Sequence, residues 1–313
     1  MQPPAIVPVM ADLNAAAERI WQACSPRWPQ LSLDVLPEIG STNTELMDRG
    51  RRGQTWPTAL VAASQTAGRG RRGRSWAAQP GDTLTCSLGL PMKLDGVPGG
   101  GSALALAVGL SLAQSLDRAL QRRHAQGLGP ALPPIGLKWP NDLWLGERKL
   151  GGILIEATPA PGLPEGSRWV VIGFGINVRL GQAPTGSASL GRDTPAAGSA
   201  PLGVGEVWSW LMPDLLDAVQ RFEAAGFAPL MSAWSDRDVL RGQAVGLWSR
   251  PNHLPGAAGA DEPDDRGTAQ GVDESGALLV HTASGLQRWN SGEVSVRPAL
   301  SSAPAASPAT PQT

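Results

Sequence analysis

The chain has 313 residues, 42% of them hydrophobic and 17% charged, with a formal net charge of −1. That length supports one large domain plus a smaller one, and the balanced charge excludes the basic excess usual in a nucleic-acid binder. No basic-then-apolar signal opens the sequence, and no run approaches the roughly 18–20 apolar residues of a membrane span. A cytoplasmic protein with no membrane and no nucleic-acid partner is expected.

Residues 1–10 read as a loose terminus. Leu13, Ala17, Ile20 and Trp21 give one apolar side to a helix over 11–24, and alternation predicts a strand over 31–39. Thr42, with Glu45 three residues on, has the pattern of a capping box and starts a helix to about residue 48. Strands over 60–64 and 83–90 flank a loop at 68–75 built from glycine and arginine. Leu104, Val108, Leu112, Leu116 and Leu120 recur at helical spacing over 102–123. Short strands are expected at 135–139, 142–145, 152–157 and 169–177, then a Gly/Ala/Ser/Pro-rich mobile loop at 181–203. Helices follow at 204–225 and 229–240. Beyond Arg241 the pattern changes to short strands at 244–248, 267–273, 278–281 and 286–289, the spacing of a small β-barrel. A Pro/Gly/Asp-rich insertion occupies 251–266, and the tail after Arg297 has a disordered composition.

The two cysteines, Cys24 and Cys86, fit reduced thiols better than a disulfide. Lysine usage says more. The chain holds 26 lysines and arginines, and only Lys93, Lys138 and Lys149 are lysines. Two of the three fall within 138–149, where a compact ammonium serves in a way an arginine fork does not.

Four segments carry chemistry. Gly68-Arg69-Gly70-Arg71-Arg72-Gly73-Arg74-Ser75-Trp76 lets the backbone bend closely around a ligand and brings forked cationic donors to phosphate or carboxylate. Its composition equally suits a solvated basic turn or a nucleic-acid patch, and it is neither a P-loop nor a dinucleotide fingerprint. Lys138-Trp139-Pro140-Asn141-Asp142 clusters an ammonium, an amide and a carboxylate at a turn. There Asp142 can help hold Mg²⁺ and Lys138 can meet an anion, although a plain Asn-Asp turn with a surface lysine reads the same way. Lys149 opens an apolar strand beside Gly151 and Gly152, as a ligand contact or an edge charge. Gly173 and Gly175 alternate in an apolar strand ending at Asn177, so something packs tightly on it.

Together with Ser41-Thr42-Asn43, these segments occur in the order that characterises the biotin protein ligases, and from 36 to 298 the chain resembles that family. The resemblance implies an α+β fold. Residues 36–240 would form a mixed sheet flanked by helices, like class II aminoacyl-tRNA synthetases, and 241–298 an SH3-like barrel. An N-terminal extension (1–35) and a disordered tail (299–313) would flank them. It implies that ATP activates biotin to biotinyl-5′-AMP, with Mg²⁺, and that biotin passes to a lysine of a biotin carboxyl carrier protein or domain of a carboxylase. Biotin would be bound by Ser41, Thr42, Asn43, Gln65, Arg69, Gly70, Arg71 and Lys149. ATP would be bound by Arg71, Arg72, Arg74, Trp76, Lys138, Asn141, Asp142, Asn177 and Arg297, with Lys149, Arg71 and Lys138 catalytic and Asp142 on the metal. The short stretch before residue 36 does not read as a helix-turn-helix, so no repressor role is expected. A homodimer is left open. The alternatives are a lipoate or octanoyl protein ligase and a non-catalytic biotin-responsive regulator.

Overall fold

The computed structural model describes residues 6–179, 186–191, 201–248, 262–291 and 294–298. A seven-stranded sheet forms the body, in the order β1-β2-β3-β7-β6-β5-β4. Its strands are β1 (Ser32–Leu36), β2 (Thr58–Ala62), β3 (Thr83–Met92), β4 (Gly136–Lys138), β5 (Asp142–Leu145), β6 (Arg148–Thr158) and β7 (Arg168–Asn177). Only β1 and β2 run parallel; every other pairing in this sheet is antiparallel.

The period of two along the central strands divides the sheet into two working faces. On β7, Val170, Ile172, Phe174 and Ile176 join the main core, with Leu84, Cys86, Leu88 and Leu90 of β3. Helices α1 (Ile6–Cys24), α3 (Gly100–Ala125) and α4 (Val204–Ala225) contribute to the same core. The opposite face carries α2 (Thr42–Arg51). There Leu46 and Met47 close a smaller cluster with Leu60, Trp169 and Val171. Beyond that cluster the residues on this face turn polar or small (Thr85, Ser87, Gly173, Gly175), and there the sheet is free to form a site.

By length and composition α3 is apolar enough to cross a membrane, but 72% of its apolar window is buried within the protein. Its helical stripe is met by β6 on one side and α4 on the other, so the apolarity belongs to a core helix.

The smaller domain is a five-stranded antiparallel sheet, β11-β10-β9-β8-β12. Its strands are β8 (Ala244–Trp248), β9 (Asp265–Val272), β10 (Leu278–Thr282), β11 (Gly285–Trp289) and β12 (Ser295–Pro298). β12 was not predicted: four residues ending in proline give little alternation to read, and pairing with β8 supplies the missing order.

Several boundaries differ from expectation. α1 starts at Ile6, inside the supposed loose terminus, because Ile6 is buried and Val9 and Met10 pack against the same core. Ser41, not Thr42, caps α2, accepting from the Thr44 backbone N–H. Thr42 is the first residue inside the helix, and its hydroxyl donates to Gln65 Oε1 at 3.1 Å. Glu45 pairs with Arg49 instead of closing a capping box, and the helix continues to Arg51. The helix expected at 229–240 is a 3₁₀ turn followed by α5 (Met231–Ser235). Its remainder pairs with β4, through Leu137 N to Arg237 O at 2.7 Å and Val239 N to Leu137 O at 3.0 Å. Of the 181–203 loop, only 186–191 and 201–203 are described; 251–261 and the 299–313 tail lie outside the described residues.

Candidate active site

A cleft of about 220 Å³ opens on the α2 side of the sheet. It is walled by the first turn of α2, the arginine loop, the β4–β5 turn, β6, β7 and residues 294–297 of the smaller domain.

One end is a buried polar network. Gln65 Oε1 accepts from Thr42 N at 2.7 Å as well as from the Thr42 hydroxyl. Ser87 Oγ lies 2.7 Å from Asn43 Oδ1 and 2.8 Å from Thr42 Oγ1. Asn43 Nδ2 donates to Glu156 Oε2 at 3.0 Å. Gly173 is there because the Asn43 amide lies directly on it: a Cβ would overlap Oδ1. The cleft thus offers directed donors and acceptors at the start of a helix whose first N–H groups are free of intrahelical partners.

The other end is cationic. Arg71, Arg72, Arg74, Lys138, Lys149 and Arg297 line it, and among the described residues Asp142 is the one lining carboxylate. Lys149 Nζ lies 2.7 Å from Asp142 Oδ1 and 5.8 Å from the centre of the Trp76 ring. Trp76 in turn lies flat on Gly175, where a Cβ would strike the indole. Lys138 stands 5.2 Å from the Trp144 ring centre, and Arg297 stands 4.8 Å from that of Trp248. Burial lowers the pKa of Lys138 below the ordinary lysine value; Asp142 opposes the shift, and Lys149, Arg297 and Arg74 add to it. Burial likewise lowers that of Arg71, with Asp142 opposing.

The arginine loop is a narrow hairpin here, not an irregular stretch. Trp76 N donates to Gly68 O at 2.9 Å and Gly70 N to Arg74 O at 2.7 Å. A 3₁₀ turn at Arg71–Gly73 forms the tip, with Arg72 left-handed at φ 55° and Gly73 at φ 72°. Its side chains divide the work. Arg69 makes two hydrogen bonds to Glu156, Nη1 to Oε2 at 3.1 Å and Nη2 to Oε1 at 2.9 Å. Arg71 donates to Asn141 Oδ1 at 3.1 Å and to the Ser291 carbonyl. Arg72 and Arg74 have no side-chain partner among the described residues.

The structure brings all the sequence-predicted site residues to this cleft except Asn177. Asn177 is buried at the end of β7, where Nδ2 donates to Ala188 O at 3.1 Å. Ala188 N donates to Lys149 O at 2.8 Å, so Asn177 supports the strand that carries Lys149 and is not a wall of the cleft. Asn141 turns its Nδ2 to Ile153 O at 2.7 Å, leaving Oδ1 for Arg71. The arginines of the loop are also not equivalent: the Arg69 guanidinium is committed to Glu156.

Ser87, Glu156, Ser291 and the 294–296 wall were missed. Thr83, Thr85 and Ser87 alternate with Leu84, Cys86 and Leu88 along β3, so Ser87 was recognisable as a polar residue on the face away from the core. Glu156 and Ser291 reach the site only through tertiary pairing and left no local signal.

No group of three or more His, Cys, Asp or Glu side chains arranged to hold a metal exists among the described residues. A lone carboxylate is nonetheless compatible with Mg²⁺, which keeps several waters and binds through one or two carboxylates plus substrate phosphates. Asp142 is the residue in this cleft that fits.

Residues 35–177 match the biotin/lipoate A/B protein ligase family, and residues 262–297 match the biotin protein ligase C-terminal domain. The bifunctional ligase/repressor BirA of Escherichia coli is 32% identical over 86% of this chain and 75% of its own length. A biotin–[acetyl-CoA-carboxylase] ligase of Paracoccus denitrificans is 30% identical over 83% of this chain and 98% of its own. The fold is shared with the biotin protein ligase of Aquifex aeolicus solved with biotin and ATP, at a TM-score of 0.62 and 24% identity over 86% of this chain and 99% of that one.

Proposed function

Since the chain belongs to the biotin protein ligases, a family of ATP-dependent ligases, we propose that its cleft binds biotin at the Ser41–Thr42–Asn43 end and ATP at the cationic end. The observation that carries this reading is the division of one cleft into a network of neutral hydrogen-bonding groups and a cluster of cations that includes Lys149.

Biotin offers a ureido group at one end and a carboxylate at the other. Gln65, Thr42, Asn43 and Ser87 supply directed hydrogen bonds for the first. The carboxylate then reaches Lys149, where the ammonium can leave Asp142 for it. A carboxylate oxygen attacks the α-phosphorus of ATP, the bond to the β-phosphate oxygen breaks, and pyrophosphate leaves. Two anions must approach each other for this step. Lys138, Lys149, Arg72 and Arg74 lower that barrier by positioning and by charge. Mg²⁺, bound at Asp142 and the phosphates, would supply further positive charge.

In the second half-reaction a carrier lysine amine attacks the acyl carbon, the mixed anhydride bond breaks and AMP leaves. The adenylate hydrolyses readily, so a hairpin closing over it is useful. The family acts on biotin carrier proteins of carboxylases, and we take such a carrier as the acceptor. We place the reaction in the cytoplasm, where the two buried thiols of Cys24 and Cys86 stay reduced.

The test is biotin-dependent ATP–pyrophosphate exchange, repeated with lipoate. Exchange with biotin alone is expected. Exchange with lipoate alone would move the protein to the other branch of the family, and tight biotin binding without exchange would make it a regulator.

A further inference from the structure

Glu156 has no place in the mechanism above, yet it lies behind both ends of the biotin-facing wall. It sits on β6, pointing to the α2 face of the sheet, between Asn43 and Arg69. Both of its oxygens are engaged: Oε1 accepts from Arg69 Nη2 at 2.9 Å, and Oε2 accepts from Arg69 Nη1 at 3.1 Å and Asn43 Nδ2 at 3.0 Å.

We propose that Glu156 is a positioning residue for biotin: it sets which way the Asn43 amide faces and docks the base of the arginine hairpin over it. This rests on the biotin reading of the cleft.

A side-chain amide has a donor end and an acceptor end of nearly the same shape. An ionised carboxylate only accepts, so Glu156, at 3.0 Å and with the longer contact to the Leu154 carbonyl at 3.4 Å beside it, holds Nδ2 toward itself. Oδ1 then faces Ser87, at 2.7 Å, on the cleft side. Packing on Gly173, which the amide meets with Oδ1 nearest, distinguishes the two ends poorly because they have nearly the same shape. The same carboxylate grips Arg69 at the first residue of the hairpin's Arg69–Ser75 bridge. Helix start and hairpin base are therefore placed before ligand arrives, which reduces the ordering cost of binding. Arg69 keeps 47% of its side-chain surface exposed, and an ion pair so open to solvent adds little to stability. The effect falls on site geometry.

Wild type, Glu156→Gln, Arg69→Gln and the double variant are compared by biotin-dependent pyrophosphate exchange. KM for biotin, KM for ATP and kcat are read separately, alongside the thermal midpoint. Glu156→Gln keeps the shape but offers a donor where only an acceptor served. It should raise KM for biotin about tenfold, with KM for ATP and kcat within about twofold of wild type. Arg69→Gln, which leaves Asn43 oriented, should raise it about threefold. The double variant should be no worse than Glu156→Gln, because both act through one pair. An unaltered KM for biotin in Glu156→Gln overturns the proposal, as does a uniform loss that follows the thermal midpoint. Should Glu156→Gln fail to fold, Arg69→Gln carries the test alone, and an unaltered KM there overturns the proposal. Absence of exchange by wild type would instead remove the ligase reading, and the proposal with it.

Discussion

The ammonium of Lys149 is held 2.7 Å from Oδ1 of Asp142. The cation that the proposed mechanism assigns to the substrate carboxylate therefore already has an internal counter-ion. The pair stands beside Gly152, where a Cβ would meet Lys149 Nζ at 3.4 Å and Asp142 Oδ1 at 3.5 Å, in ordinary contact with both.

Lys149→Ala removes the cation that brings the two anions together. Losing one such preorganised group costs on the order of 10²–10³ in rate. We expect biotin-dependent exchange to fall by that factor. With 41% of its side-chain surface exposed, Lys149 is not a core residue, so the thermal midpoint should change by no more than about 2 °C. Lys149→Arg should also lose at least about tenfold, since a planar fork does not replace a compact ammonium. Unaltered kinetics in the alanine variant would take Lys149 out of the mechanism.

Gly175→Ala tests the support under Trp76. The new methyl would collide with the indole, and overpacking of this kind costs roughly 1–3 kcal/mol. The ring must lift from β7 and carry the end of the hairpin with it. KM for ATP should rise several-fold while KM for biotin changes less. Equal effects on both substrates would show that Trp76 is not confined to the nucleotide end.

The two alternating glycines of β7 show how far the sequence could be read. Their spacing says that something packs against the strand, and Asn43 and Trp76 are what packs there. The same holds for the long elements: α3 was legible from its leucines and α4 from its own apolar spacing, because helical periodicity is a local property. Glu156 was not legible, since a glutamate at the end of an apolar strand looks like any solvated charge until Arg69 and Asn43 are folded onto it. Asn177 shows the opposite case. Its motif pointed to a ligand, while its amide serves Ala188. Residues 237–239 read as helix because propensity is local, and β-type pairing with Leu137 overrides it.

The pH dependence of activation should report Lys138. Burial lowers its pKa, so the ammonium gives up its proton at a lower pH than an ordinary lysine. Only the charged form serves a phosphate, and kcat/KM should therefore fall as pH rises through that lowered value. Lys138→Arg stays charged and should move the basic limb upward, even with a lower plateau. The effect on stability has the opposite direction. Between the lowered pKa and the ordinary one the unfolded chain binds more protons, so folding becomes more favourable as pH rises. An identical basic limb in both proteins would assign that limb elsewhere.

Asp238 gives an acid-side prediction outside the cleft. Burial raises its pKa to about 6, against stabilising contributions from the Leu240 and Arg241 backbone N–H groups and the Arg241 charge. Its Oδ1 accepts from Leu240 N at 2.9 Å, while Oδ2 is buried without a partner. A folded-state pKa above the unfolded one means that stability falls as pH climbs from about 4 to about 6. Asp238→Asn keeps the Oδ1 acceptor and removes the charge. It should be roughly 1–2 kcal/mol more stable than wild type at pH 8 and gain nothing at pH 4. Thermal midpoints at the two pH values decide this, and a gain of equal size at both would rule out ionisation as the cause.

Arg71 joins three parts of the molecule. Its guanidinium reaches Asn141 in the β4–β5 turn at 3.1 Å and the Ser291 carbonyl in the smaller domain, while its backbone forms the tip of the hairpin. Asn141 is itself fixed to Ile153 O at 2.7 Å, so the anchor is rigid. Arg71→Gly should leave the hairpin's own hydrogen bonds intact, since Gly70 N to Arg74 O does not involve the side chain. What it removes is the tie that keeps the tip down over the cleft. The adenylate should then escape before the carrier arrives, and free adenylate acylates any exposed amine. In a mixture of carrier and bystander proteins, the variant should biotinylate bystander lysines at least about tenfold more than wild type. Mass spectrometry of the modified lysines and assay of adenylate in the protein-free filtrate measure the two consequences separately. Strict labelling of the carrier, with no adenylate in the filtrate, would mean that the hairpin stays closed without this tie and that retention depends on Arg69 and the loop backbone instead.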